Sequence, residues 1–350
     1  MATEEHIAAV GTYSAATEEG VYTVAIDPET GAMRRLDAVA AGPDPTFVAF
    51  HPSGRYLYAA VREDGEGAIR SYEVDRSTGE LTERDAAPSG ATAPCYCSVD
   101  ETGQFLFVAH YTGGAVSMLP IDSEGGLETP SEVIEHRGSS VDPDRQTAPH
   151  PHSITLGPEN RFAYVPDLGT DQVVVYEVQY DDGSLARVDA VDCTPGSGPR
   201  HLDFSADGER VFLINELDST VTVFDRESDG LLSECATVST LPEDFDADNK
   251  TAEVAVHPAG EYVYGSNRGQ DTIVTFSVGD GTITRIDRTA TGGEWPRHFA
   301  LSPDGELLFV ENRDTDNIVA FDVDTATGDL SPNGESLSIR EPVCMRWLPE

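Results

Sequence analysis

A closed seven-bladed β-propeller is the fold this sequence predicts. Three observations predict it: a motif recurring about every 50 residues, a four-strand pattern inside each copy, and a lone C-terminal strand that completes a defective first copy. Copies begin PTFVAFHPSGRYLYAAV at Pro45, PCYCSVDETGQFLFVAH at Pro94, HPHSITLGPENRFAYVP at His150, PRHLDFSADGERVFLIN at Pro199, TAEVAVHPAGEYVYGSN at Thr251 and PRHFALSPDGELLFVEN at Pro296. Each reads as an alternating strand, a tight turn and an apolar strand, which is a β-hairpin. A third strand follows, such as AIRSYEVD, QVVVYEVQ or NIVAFDVD. A turn ending in Gly79, Gly126, Gly183, Gly230, Gly281 or Gly328 then leads to a polar fourth strand.

A lone blade cannot bury both faces, so the copies must stack radially. The N-terminal segment supplies only three strands of a further blade, IAAVGTY, VYTVAID with its turn at Gly31, and MRRLDAV. Its inner strand is PVCMRWL, from Pro342, and pairing the two ends removes the sheet edge an open array would expose. Residues 1–350 therefore read as one propeller domain.

Composition narrows the partners. The 63 acidic and 22 basic residues give a formal net charge of -41, and Lys250 is the only lysine. Such a surface repels nucleic acid and anionic membranes. Its even spread matches proteins of organisms with molar cytoplasmic salt, where a Debye length of about 3 Å screens self-repulsion. No apolar run reaches the roughly 18 residues of a membrane helix, and the start MATEEHIAAVGTY has no signal-peptide pattern, so a soluble cytoplasmic protein is expected, monomeric or weakly associating. Five cysteines without a C-x-x-C pair predict reduced thiols, Cys95 and Cys97 sharing one side of a strand.

In an antiparallel blade the start of the inner strand and the end of the second strand meet at one rim. This brings Thr46, Cys95, His150, His152, Arg200, His201, Glu253, Arg297 and His298 to the channel mouth from the inner strands. Second-strand ends add Arg62, Tyr111, Asp167, Glu216, Arg268 and Arg313, and the insertion HRGSSVDPDRQTA adds Arg145. A chain poor in basic residues has gathered its arginines at one opening, which favours an anionic ligand. The opposite rim carries turns of Ser, Asp, Gly and Pro.

Other signals are weaker. His150 and His152 lack a third metal ligand at a convincing spacing, and no metal is expected. DFDADN, at 244–249, has Asn249 where a calcium loop needs Gly and reads as a solvated acidic loop. Neither a G-x-S-x-G elbow nor a P-loop is present.

PCYCSVD, AHYTGGAV, DRQTAPHPH, PDLGTDQV, GSGPRHLDF, INELDSTV, TAEVAVHPAGEYVYGSNRGQD and TGGEWPRHF stand in an order that resembles the lactonase family of seven-bladed propellers. That family includes bacterial 6-phosphogluconolactonases and fungal carboxymuconate lactonizing enzymes. The resemblance implies a catalytic group of His152, Arg200, Glu216 and Arg268, no cofactor, and a small anionic sugar lactone as substrate. Arg145, His150, Asp167, His201, Glu253, Asn267 and Arg297 are the expected substrate-binding residues. His110 stands where the family has Asn, which bears on the substrate. His152, or Glu216 if burial raises its pKa, is expected to activate water, with Arg200 at the developing oxyanion and Arg268, helped by Arg297 and Arg145, on a phosphate. A cyclase acting on a carboxylated muconate, a non-catalytic binding propeller, and a metal-dependent site of Glu216, Asn215, Asn267 and Asn312 are the alternatives.

Overall fold

The computed structural model describes residues 5–63, 65–279 and 281–350. These form seven four-stranded antiparallel sheets. Blade one pairs Pro342–Trp347 with His6–Thr12, followed by Val21–Ile26 and Met33–Val39. The chain ends are thus neighbours in one sheet, and the Leu348 N–H donates to Ile7 O at 2.8 Å. Inner strands of the other blades are Phe47–Phe50, Pro94–Val99, Thr155–Leu156, Pro199–Phe204, Lys250–Val256 and Pro296–Leu301.

Second strands are the apolar heart of each blade. Tyr56–Val61, Phe105–His110 and Leu307–Asn312 are buried at every position, because a blade is covered on both faces by its neighbours. A repeated joint locks adjacent blades. The Tyr58, Tyr164 and Tyr264 hydroxyls donate to the carbonyls of Gly125, Gly230 and Gly328 in the following blade, at 3.3, 3.0 and 3.1 Å. Those glycines have positive φ, and a Cβ on Gly328 would stand 2.5 Å from the Tyr262 ring. In blade three this conformation falls to Gly125 rather than Gly126.

Two features depart from the repeat as read from sequence. Blade four begins at Pro151, not His150: Pro151 bridges Asp167 just as Pro199 pairs with Asn215 and Pro296 with Asn312. PHPH offers two proline starts, and only the pairing chooses between them. Second, the ladder register shifts after the leading residue of the inner strand in five blades, between Pro94 and Tyr96, Pro199 and His201, Thr251 and Val254, Pro296 and His298, and opposite Gly11 and Thr12. These are β-bulges, which re-aim side chains at barrel rims. A bulge at Cys95 also separates Cys95 from Cys97: one sulfur faces His152 O in blade four, the other Phe47 O in blade two.

Candidate functional site

The corrected register places His152 level with Arg200 and Arg297, one residue past the leading proline. In the latter two the bulge leaves the residue unpaired, so arginine and the histidine after it both serve the channel. Residues just after the second strands close the mouth: Tyr13, Tyr111, Leu168, Glu216 and Arg313 each donate a backbone N–H to the carbonyl preceding the next proline or its equivalent.

Glu216 is the centre. Its Oε1 accepts from Arg145 Nη2 at 2.6 Å, its Oε2 from Arg268 Nη2 at 2.8 Å, and Arg200 Nε lies 3.2 Å from Oε2. The Arg200 contact is an ion pair off the line of a hydrogen bond, since that Nε has no hydrogen-bond partner. Arg200 is fixed instead by donating to Ala252 O at 2.6 Å, and Arg268 by donating to Thr251 O at 2.6 Å. Burial would raise the Glu216 carboxyl, but Arg268, Arg200, His152 and Arg145 outweigh it and hold it well below the usual range. The expectation of a raised Glu216 is therefore corrected: it is an ionised counter-charge at neutral pH. Burial, aided by Arg268 and Arg297, pushes Arg200 down to about 9, which still leaves it cationic.

His152 Nε2 stands 4.0 Å from Glu216 Oε2, and its buried Nδ1 has no partner. Burial, then Arg200 and His201, hold this ring well below the ordinary histidine value, so it is a neutral imidazole with a free nitrogen. Tyr111 packs edge-on to it at 5.3 Å, stacks on His150 at 4.4 Å and accepts from Arg145 at 3.0 Å. His150 gives Nδ1 to Tyr111 O at 2.8 Å. On the other side of the mouth Arg297 and Arg62 flank the Tyr13 ring, at 5.3 and 5.5 Å, and Arg268 and Arg313 flank Trp295, at 5.4 and 5.2 Å. Tyr13 and Trp295 escaped the sequence reading. Tyr13 follows the second strand of the split blade, and Trp295 precedes the motif by one residue.

Four expected contributors sit elsewhere. Asp167 is fully buried and spends its carboxylate on His136 Nδ1 at 2.7 Å and on the backbone N–H groups of His150, Gly169 and Thr170. It anchors the insertion that delivers Arg145. Asn267 accepts from Thr240 at 2.7 Å and Asn249 at 3.1 Å and donates to Thr272 at 3.2 Å. Asn215 donates to Thr220 and Thr222, so the asparagines tie loops, while guanidinium groups surround Glu216 and would repel a cation. His201 and Glu253 lie deeper in the channel, paired to each other at 2.9 Å. His110 is buried between Ser89, just past the last strand of blade two, and Ala115, so its departure from Asn is a matter of packing where blades two and three meet.

A family model described as a lactonase, 7-bladed beta-propeller, matches residues 7–347. A 6-phosphogluconolactonase of Bacillus subtilis (strain 168) is 32% identical, over 98% of this chain and 99% of its own. A 6-phosphogluconolactonase of Formosa agariphila is 30% identical, over 81% and 82% of the two chains. Among solved structures, the periplasmic gluconolactonase PpgL of Pseudomonas aeruginosa superposes with a TM-score of 0.92 at 30% identity, covering 99% of each chain.

Proposed function

This chain belongs to the lactonase family of seven-bladed β-propellers, and on that footing we propose that it hydrolyses 6-phosphogluconolactone or a close sugar lactone to the open acid. One observation carries the reading: a neutral imidazole with a free nitrogen stands beside an ionised carboxylate held among three guanidinium groups. His152 Nδ1 takes a proton from water as the water oxygen adds to the lactone carbonyl. Glu216, facing the opposite nitrogen, keeps Nε2 protonated and stabilises the imidazolium that forms. Arg200 faces the oxygen that gains charge. Collapse breaks the ring C–O bond, and the alkoxide leaves with the proton from His152. Arg297 has no ion-pair partner among the described residues, and with Arg62 it suits the phosphate, which needs a free guanidinium. No step calls for a cofactor.

Supporting the cellular setting are five free cysteines, which suit a reducing cytoplasm, and a charge of -41, which suits molar salt. The test is initial-rate hydrolysis, at molar KCl, of fresh 6-phosphogluconolactone against unphosphorylated gluconolactone. Arg297→Ala should raise KM for the phosphorylated lactone alone. Equal KM shifts for both lactones would remove the phosphate assignment, and no enzymatic rate on either would remove the hydrolase reading.

A further inference from the structure

Below the mouth the channel holds a second group of ionisable side chains that the hydrolytic step does not use. His201 Nδ1 lies 2.9 Å from Glu253 Oε2, which lies 3.3 Å from His298 Nε2, and His298 Nδ1 lies 2.8 Å from Glu311 Oε2. Three successive inner strands supply the first three, and all four side chains are at most 8% exposed. Arg346 closes the group, donating from Nη1 to His298 Nε2 at 2.9 Å. At the matching positions of blades two and three stand Phe47 and Tyr96, so the ring of inner strands can be filled without charge. Burying carboxylates and imidazoles instead costs several kcal/mol per ion.

The geometry is that of a line with both ends served. His201 meets Glu253 through Nδ1 and leaves Nε2 open towards the mouth, so a proton taken up on one nitrogen can be passed on from the other. At the upper end His201 Nε2 is buried without a partner, and its ring packs edge-on to His152 at 5.2 Å, where Nδ1 is likewise unpartnered. At the lower end Glu253 and Arg346 line a cavity of about 300 Å³ with Tyr96, Thr155 and Asp203, among the far ends of the inner strands. We propose that His201 and Glu253 carry the proton released by the reaction from the mouth towards that far cavity, beside a His298–Glu311 pair that keeps a proton of its own. The inference rests on the hydrolase reading. Water supplies two protons: one returns to the ring oxygen as its C–O bond breaks, and the other leaves the new carboxylic acid as it ionises. At the mouth Glu216 is no acceptor for it, because Arg268, Arg200 and Arg145 hold that carboxylate ionised. Glu311, pushed well above the ordinary carboxyl by burial, already holds its proton at rest and so ends the line at His298 rather than receiving the proton that passes.

Glu253→Gln and Glu311→Gln keep side-chain shape and remove proton exchange, and His201→Asn removes the entry. In weak buffer Glu253→Gln and His201→Asn should lose about 10²-fold in kcat with KM little changed, and small amine buffers should restore the rate in proportion to their concentration. Parent-like turnover in the folded variants, or a loss that no buffer restores, overturns the path. A second readout needs no turnover: the infrared carbonyl stretch of a protonated carboxyl should vanish in Glu311→Gln and shift in His201→Asn. An unshifted band overturns the path even where the parent opens neither lactone, which separates this failure from failure of the hydrolase reading.

Discussion

His152 illustrates how burial can keep an imidazole uncharged and its nitrogen open, as the proposed role of base requires. Its depressed pKa keeps it uncharged as pH falls below 6.5, so the acid limb of kcat/KM should lie below that value and not at it. His152→Ala should cut kcat by about 10²- to 10⁴-fold with little effect on KM. Glu216 needs a gentler probe: removing one partner from a buried ion pair costs about 3–5 kcal/mol, so Glu216→Gln reads function where Glu216→Ala would read folding. His110 tests the same physics away from the site. Burial lowers it to about 4, against about 6.5 when unfolded, so its contribution is whole above pH 6.5 and is lost as pH falls towards 4. Chemical denaturation should find that His110→Asn loses roughly 2 kcal/mol less than the parent between pH 6.5 and 5.

At the scale of strands and loops, ring closure has the clearest consequence. Pro342–Trp347 supplies blade one's inner strand, with Cys344 and Met345 fully buried. Deleting residues from Pro342 onward should abolish the cooperative thermal melt, and a truncated chain melting like the parent would refute closure as a stabilising element. Most of the strand order was legible in the sequence, because the apolar second strand and the turn glycines recur at matching places in every copy. Blade four slipped by one residue because prolines at 149 and 151 each precede a histidine, and Asp167 as the pairing partner is a long-range fact. Bulges were illegible for a related reason: one extra residue in a ladder leaves no mark in hydropathy. The rim map still found Arg200, Glu216 and Arg268. It missed that Asn267 and Asp167 face loops, since one residue decides which way a strand-end side chain turns.

Across the whole molecule, charge is the governing quantity. Ion pairs such as Arg34 with Glu5 and Arg161 with Glu177 are surface contacts worth at most about 1 kcal/mol each, too few to offset -41 of formal charge. Raising KCl from dilute to molar should lift the melting temperature steeply, as the screening length falls to about 3 Å. A flat series in scanning calorimetry would assign the acidity to solubility alone. The sequence made this trait plain from counts, and the rim map already set Arg145 beside the other arginines; its seat on Glu216, at 2.6 Å, needed the fold.

In five blades the bulged residue that follows the leading one also divides labour between scaffold and chemistry. Because that residue has no partner opposite it, its identity is free of the hydrogen-bond ladder, while the ladder holds its backbone in place. Arg200 and Arg297 occupy two such seats, and Val343 a third. The ring is in effect a turret of tools around one opening: the occupant of a seat sets what the opening can grip, while the ladder on either side of it keeps its pairing.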